Sequence, residues 1–473
     1  MRLTPSLRNM LQPVNKLPPE ILSCITQNVP DDPNEGARSI IPLTHVCQYW
    51  RKSITSTPQH WTTISSNQKT LAVLSLERAK AAPLAIHLDM REIREDTQFL
   101  NFLVLHAQNT ETLHVDGLAT IDDLAHLPLQ SPNLRSLSLS EMGITKWDRS
   151  IDPFESLTHT LRHLSLIGVP LYPSFLDLRT LTEFTIYDSR CNLHLDAFLD
   201  FLEGNRSLTR ADIRIRFIEP SLHSSRRQAA IRNQLHCLRI ACFDVLDGKA
   251  LISKIALTKG AVLEVDLRRG FGIVMGVNDL LSGISTTHLS NLQSPTFMQY
   301  HVHTTRTIQL FGPNGTASFT GDSYLDPLFV EFPRLPLTNV RRFHLDTHGW
   351  ELIRPSPGPR VFHHLSSFPT LETFTIGRET DLLRLLSPLL SNPSASPFLK
   401  TLGFQDCILT EGFMGELTRF ASNRKNTASA WICRVVIADL EGESPSIASI
   451  NALKECVPIV DIRIATELPV DMT

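Results

Sequence analysis

The sequence predicts an α/β protein in which a small N-terminal helical module is followed by a long solenoid of strand–helix repeats with parallel strands and outer helices. Three observations carry that prediction. A six-residue frame, apolar-x-x-apolar-x-apolar, recurs in fourteen candidate copies. The stretches between copies switch from a period of two to helical spacing. The first sixty residues carry helical spacing without the frame.

The helical module is read over residues 14–62. Leu17-Pro18-Pro19-Glu20-Ile21-Leu22 opens a helix whose apolar side holds Ile21, Leu22 and Ile25, and proline suits the first helical turn. A polar stretch from Pro30 to Gly36 breaks it. A second helix is expected with Leu43, Val46, Cys47 and Trp50 at helical spacing, followed by Arg51 and Lys52. The run Ser56-Thr57-Pro58-Gln59-His60-Trp61 closes the module.

The repeats are read over residues 63–473. Clear frames are Leu134/Leu137/Leu139, Leu161/Leu164/Leu166, Leu181/Phe184/Ile186, Leu208/Ala211/Ile213, Leu235/Leu238/Ile240 and Val262/Val265/Leu267. They resume at Val340/Phe343/Leu345, Leu371/Phe374/Ile376 and Leu399/Leu402/Phe404. Weaker copies fall at Ile86/Leu88, Leu113/Val115, Ile308/Leu310, Ile432/Val435/Ile437 and Ile459/Ile462/Ile464. From Leu134 the first positions step by 27, 20, 27, 27 and 27 residues. That lies inside the leucine-rich-repeat range of about 20–29. Intervening helices are expected at Asp196–Gly204, Asp381–Leu390, Thr410–Ala421 and Ala448–Cys456, with Thr410 and Glu411 as a helix start. Residues 270–330 break the period and are read as loops or a degenerate repeat.

Composition narrows the function classes. Hydrophobic residues make up 42% and charged residues 20%, ordinary for a folded chain. The formal charge of −3 leaves no general basic excess for nucleic acid or an anionic membrane, and no membrane or nucleic-acid partner is expected. The eight cysteines are scattered without a Cys-x-x-Cys pair and read as buried free thiols in a reducing compartment, cytosol or nucleus. Without a secretory signal, Asn205-Arg206-Ser207 and Asn314-Gly315-Thr316 are chance matches to a glycosylation pattern.

No enzymatic chemistry, cofactor or metal is expected. Gly270, Gly272 and Gly276 have the wrong spacing for a dinucleotide loop. His301 with His303, and His363 with His364, lack a third ligand at a telling distance. The strand residues between the apolar positions point outward, and many are basic. Arg210, Arg214, Arg239 and Arg268 are the candidate substrate-binding residues, suited to an acidic or phosphorylated peptide. The competing reading is a solvated face on which arginines pair with neighbouring acids.

The N-terminal module resembles an F-box, in the variant common in large families of basidiomycete fungi. The matching parts are Leu17-Pro18-Pro19-Glu20-Ile21-Leu22, then Leu43-Thr44-His45-Val46-Cys47-Gln48-Tyr49-Trp50-Arg51, then Ser56-Thr57-Pro58-Gln59-His60-Trp61. The likeness continues through Leu76-Glu77-Arg78 and Pro83 to Leu88, covering roughly residues 14 to 90. It departs at residues 30–41, where the linker is long and acidic. The resemblance implies docking onto a Skp-type adaptor of a cullin–RING ubiquitin ligase, with the repeats capturing an unknown protein substrate. Adaptor-binding residues are then Leu17, Pro18, Glu20, Ile21, Leu22, Ile25, Leu43, Val46 and Trp50. Burial tendency also assigns Trp50 and Cys47 to the module's own core. The alternatives are a helical cap that only shields the first repeat, and a ligase-independent protein-binding scaffold.

Overall fold

The computed structural model describes residues 12–29, 36–120, 122–125, 127–141, 154, 160–169, 171–218, 231–232, 234–241, 245–266, 294–302, 305–322, 337–347, 368–379, 381–392, 396–426, 431–438 and 445–463. The fold is mixed α/β with mostly parallel strands, and it divides into two compact units, Met1–Leu208 and Thr209–Thr473. Frame Arg268 and the histidines His303, His363 and His364 lie outside the described residues.

The first unit begins with three helices, α1 (Pro19–Gln27), α2 (Ile41–Thr44) and α3 (Gln48–Ser56), and a 3-10 turn at Pro58–Trp61. Next come β1 (Thr63–Ser65), α4 (Lys69–Ala79), β2 (Leu84–Asp89), α5 (Met90–Ile93), α6 (Thr97–Leu105) and β3 (Thr110–Leu118). The unit ends with α7 (Asp122–Ala125), β4 (Ser136–Glu141), β5 (His163–Ile167), α8 (Pro173–Leu176), β6 (Glu183–His194) and α9 (Leu195–Gly204). Each strand pairs in parallel with the next in chain order. One column of aligned residues runs Ile64, Ile86, Leu113, Leu137, Leu164, Phe184. A second runs Leu88, Val115, Leu139, Leu166, Ile186. Every member of both columns is at most 2% exposed. From α9, Phe201 packs edge-on against Phe184 at 5.0 Å and Phe198 lies 6.2 Å away.

The second unit contains β7 (Arg210–Ile218), β8 (Ile231–Arg232), β9 (Cys237–Ala241), α10 (Val245–Ile252), β10 (Ile255–Ala256) and β11 (Ala261–Asp266). It continues with β12 (Phe297–Val302), β13 (Thr305–Gly312), β14 (Gly315–Asp322), β15 (Arg342–Asp346) and β16 (Thr373–Gly377). The last elements are α11 (Leu382–Ser391), β17 (Thr401–Gln405), α12 (Glu411–Asn426), β18 (Arg434–Ala438), α13 (Ile447–Cys456) and β19 (Ile459–Arg463). In space the order is β7, β9, β11, β14, β13, β12, β15 and onward to β19. β13 is antiparallel to both neighbours, and the rest are parallel. β8 and β10 form a separate short pair.

The frames are tied together by turns with a repeated chemistry. The first frame residue donates its N–H to the carbonyl three residues earlier, at Leu134 to Ser131, Leu208 to Asn205, Val340 to Leu337, Leu371 to Phe368 and Leu399 to Ser396. The hydroxyl just before the frame donates to the preceding frame's first carbonyl. Thr160 reaches Leu134 at 2.9 Å, Thr180 reaches Leu161 at 2.7 Å and Ser207 reaches Leu181 at 2.9 Å, while Thr370 lies between the carbonyls of Thr338 at 2.7 Å and Val340 at 3.2 Å. The residues that bracket these turns are buried, and their backbone groups find internal partners. Asn205, fully buried, donates to Leu178 and Phe201 and accepts from the Leu181 N–H. Arg424, also fully buried, donates to the carbonyls of Ser396 and Leu399.

Several expectations are corrected. Leu43 to Trp50 is not one helix: α2 ends at Thr44, and Cys47 is extended at φ −161° before α3. The Arg51 side chain donates to the Thr44 carbonyl at 3.0 Å and so closes the break. The Val262 and Ile459 frames are each two residues late. Register aligns Leu263 and Val265 with Leu238 and Ile240, and Val460 and Ile462 with Val435 and Ile437. Val262 is half-exposed and Ile459 is 53% exposed, whereas Val457 is buried. The Ile308/Leu310 frame is not a parallel repeat strand but the middle of a three-stranded meander, β12–β13–β14. Nor are the cysteines uniformly buried: Cys407 is, while Cys24 and Cys433 are exposed, and these three with Cys47, Cys237 and Cys456 are free thiols.

Replacing Phe184 by Ala removes the ring between β6 and α9 and lowers the unfolding free energy by about 3–5 kcal/mol in urea titration. Thr185→Ala, on the outward side of the same strand, changes it by about 0.5 kcal/mol or less. Thr180→Val deletes the hydroxyl bond to Leu161 and costs about 1 kcal/mol.

Candidate functional site

Two surfaces hold the candidate residues, the N-terminal helices and the outward faces of the strands. In α1, Glu20 sits in the first turn, where a carboxylate is favoured by the helix dipole. The helix is amphipathic, and its two sides have different fates. Leu22 is 1% and Thr26 3% exposed, whereas Ile21 is 46% and Ile25 40% exposed.

The inward side is anchored by the closing turn. His60 is buried, with Nε2 2.9 Å from Thr26 Oγ1 and 3.3 Å from Ser23 Oγ. The Thr26 hydroxyl has one proton, and the carbonyl of Ser23 lies 2.8 Å from it, so the His60 ring N–H is the donor to Thr26. Trp61 is 1% exposed and donates Nε1–H to the Ile54 carbonyl at 3.0 Å, with the Arg78 guanidinium 4.3 Å from its ring centroid. Thus α1, α3 and α4 are held by one turn.

Leu22 and Trp50, expected as adaptor contacts, instead lie in the module's own core, where they are not accessible in this structure. Trp50 is 6% exposed, and both hold the module together. Of the remaining candidates, Pro18, Glu20, Ile21, Ile25 and Val46 are exposed and Leu17 and Leu43 half-exposed. Val46 is 47% exposed in the break between α2 and α3. Tyr49, which the sequence reading did not select, is 36% exposed and donates its hydroxyl to the Leu17 carbonyl at 2.7 Å. Its position three residues after Val46 was the available signal.

On the strand faces, charge is largely neutralised across neighbouring strands. Arg239 pairs with Glu264 at 2.6 Å, Arg434 with Asp461 at 2.8 Å and Arg135 with Glu111 at 3.3 Å. Arg210 is exposed and Arg214 half-buried on β7. The four candidate arginines do not act as one bare basic patch, because Arg239 is already matched by Glu264. His301 pairs with Asp346 at 3.3 Å. Asn205 of the glycosylation pattern is buried. The Cys407 thiol is pushed up to about 11 by burial, which makes it a poor nucleophile.

Outward histidines occupy the middle of three strands. His87 and His114 stand 5.5 Å apart, and His114 Nε2 lies 3.0 Å from Asp116, which also accepts from Ser140 at 2.6 Å. Burial lowers the pKa of His87, aided by His114 and opposed by Asp116. Burial also lowers that of His344, opposed by Asp346 and aided by His301 and Arg378.

Among the described residues, no helix is long and apolar enough to cross a membrane. No family model matches the chain, and no curated protein matches it.

His87 and His344 contribute a pH dependence. A folded pKa below the ordinary value of about 6.5 means the unfolded chain takes up protons first. The stability they contribute is complete above that value and is lost as pH falls below it toward the folded values. Urea unfolding between about pH 7 and pH 5 is expected to show declining stability, with a shallower decline in His87→Gln and His344→Gln.

Proposed function

We propose that the chain is a non-catalytic substrate-recognition adaptor of a Skp-cullin-F-box ubiquitin ligase. In this reading residues 14–62 act as an F-box that docks a Skp-type adaptor, and residues 63–473 act as an irregular leucine-rich-repeat solenoid that captures a protein. The single observation that supports it best is the pair of sides on the N-terminal helices. Leu22, Trp50, Ile54 and Trp61 are buried within the unit, while Ile21, Ile25 and Val46 remain 40–47% exposed, Ile21 and Val46 within the motif and Ile25 one helical turn after Ile21. A helix that only shielded the first repeat would turn its large aliphatic residues inward. Exposed aliphatic groups at helical spacing instead suit a partner's groove. The parallel, in-register strands with hydroxyl-linked turns favour the repeat reading of the rest.

The test is co-purification from a eukaryotic extract with a Skp-type adaptor and a cullin. The triple variant Ile21→Asp, Ile25→Asp, Val46→Asp is expected to lose at least about tenfold in recovered adaptor, equivalent to about 1.4 kcal/mol. Its thermal unfolding should match the parent chain, because the three residues face solvent. Adaptor recovery that is absent from the parent, or unchanged in the variant, overturns the ligase reading and leaves a ligase-independent scaffold.

A further inference from the structure

The register of the second unit aligns the outward side chains into rows across its strands, about 4.8 Å apart. One row runs Cys237, Val262, Thr316, Phe311, Phe297, Arg342, Thr373. Three neighbours in it are unlike the rest of the face. Phe297 and Phe311 stack with ring centroids 5.3 Å apart and planes 25° apart, half-exposed on the outward side of the meander. The Arg342 guanidinium carbon lies 5.4 Å from the Phe297 centroid, on the other side of that ring's strand. Arg342 is exposed and has no carboxylate partner among the described residues.

Among the described residues of this face, Arg342 combines a missing ion pair with an adjacent aromatic ring. Arg239, Arg434 and His301 are each matched by an acid on an adjacent strand. Among the described residues Arg210 has no ion pair either and no aromatic ring beside it, and its row neighbour is Cys237, with Asp212 following on its own strand. Beside the aromatic pair, Gln299 and Gln309 stand opposite each other in the next row, and neither side chain has a hydrogen-bond partner among the described residues. The site therefore offers one uncompensated guanidinium held against an aromatic ring, a second ring, and two primary amides that both donate and accept.

We propose that Arg342, Phe297 and Phe311 form the recognition step of this sheet face, and that it takes a carboxylate side chain next to an aromatic or proline residue in an extended peptide. The guanidinium binds the carboxylate in a two-pronged pair, the stacked rings receive the neighbouring flat or ring-shaped side chain, and the glutamines meet peptide backbone groups. Arg342 and the rings are on adjacent strands, and successive residues of an extended peptide rise about 3.3 Å, so neighbouring or next-but-one side chains span the step. A nucleic acid is disfavoured because Asp346 and Glu264 share the face and the whole chain carries a formal charge of −3. The proposal rests on reading the sheet face as the capture surface and is independent of whether the N-terminal helices dock an adaptor.

The test pans a phage-displayed random heptapeptide library against the full-length chain. Parent protein is expected to enrich peptides with Asp or Glu within two positions of Phe, Tyr, Trp or Pro by at least tenfold over the unselected library. Arg342→Ala and Phe297→Ala should return that enrichment to background, and Arg342→Glu should replace it by Lys- or Arg-containing peptides, each with thermal unfolding like the parent's. Absence of the acidic motif in the parent, or its persistence in Arg342→Glu, overturns the proposal. So does binding of a labelled single-stranded oligonucleotide that Arg342→Glu abolishes while no peptide is enriched. The Ile21/Ile25/Val46 triple variant should keep the peptide enrichment, and Arg342→Glu should keep adaptor recovery, which separates failure here from failure of the ligase reading.

Discussion

The structure depends on the parallel register between successive strands. Each strand contributes only two or three apolar side chains, such as Leu137 and Leu139 or Phe374 and Ile376, and these are buried only when they stand above their counterparts. A slip by one residue would turn both outward. The turns before the strands prevent that slip. A serine or threonine just ahead of the frame reaches back to a fixed carbonyl of the preceding frame, as Thr180 does to Leu161 and Ser207 to Leu181. One hydroxyl thus both satisfies a turn carbonyl and fixes the register of two strands.

The same demand for partners explains the buried polar residues. Asn205 and Arg424 differ in charge and length, yet both serve otherwise buried backbone carbonyls, Asn205 those of Leu178 and Phe201 and Arg424 those of Ser396 and Leu399. Burial lowers the Arg424 pKa, and its contacts include carbonyl oxygens and the ring of Phe420 at 5.6 Å. In the N-terminal helices the equivalent knot is His60 with Trp61. Because these two residues carry the internal contacts, the opposite sides of α1 and the α2–α3 break can leave aliphatic groups in water.

Much of the fold was legible because leucine marked the inward positions. Leu134, Leu164, Phe184, Leu402 and their companions are buried as their spacing predicts. The phase failed at Val262 and Ile459, where apolar residues continue at steps of two, Leu263, Val265 and Leu267 or Val460, Ile462 and Ile464, so the frame fits as well two residues later. Strand β1 escaped notice because three residues with one apolar member, Ile64, form no pattern. The α2–α3 break was hidden since both pieces keep roughly helical spacing. At the candidate surfaces, residue types could be read but not their pairing. Arg239 looked like Arg342 in sequence, and only cross-strand register brings Glu264 to the first and Phe297 to the second.

The meander in the second unit has a consequence for how such a chain can lengthen. β11 and β15 run the same way although β14, β13 and β12 stand between them, because the path reverses once on entering β13 and once on leaving it. Two reversals cancel. An inserted pair of hairpin turns is thus a unit of even parity that can be gained or lost while the direction of every strand on either side is preserved, whereas a single added turn would invert all that follows.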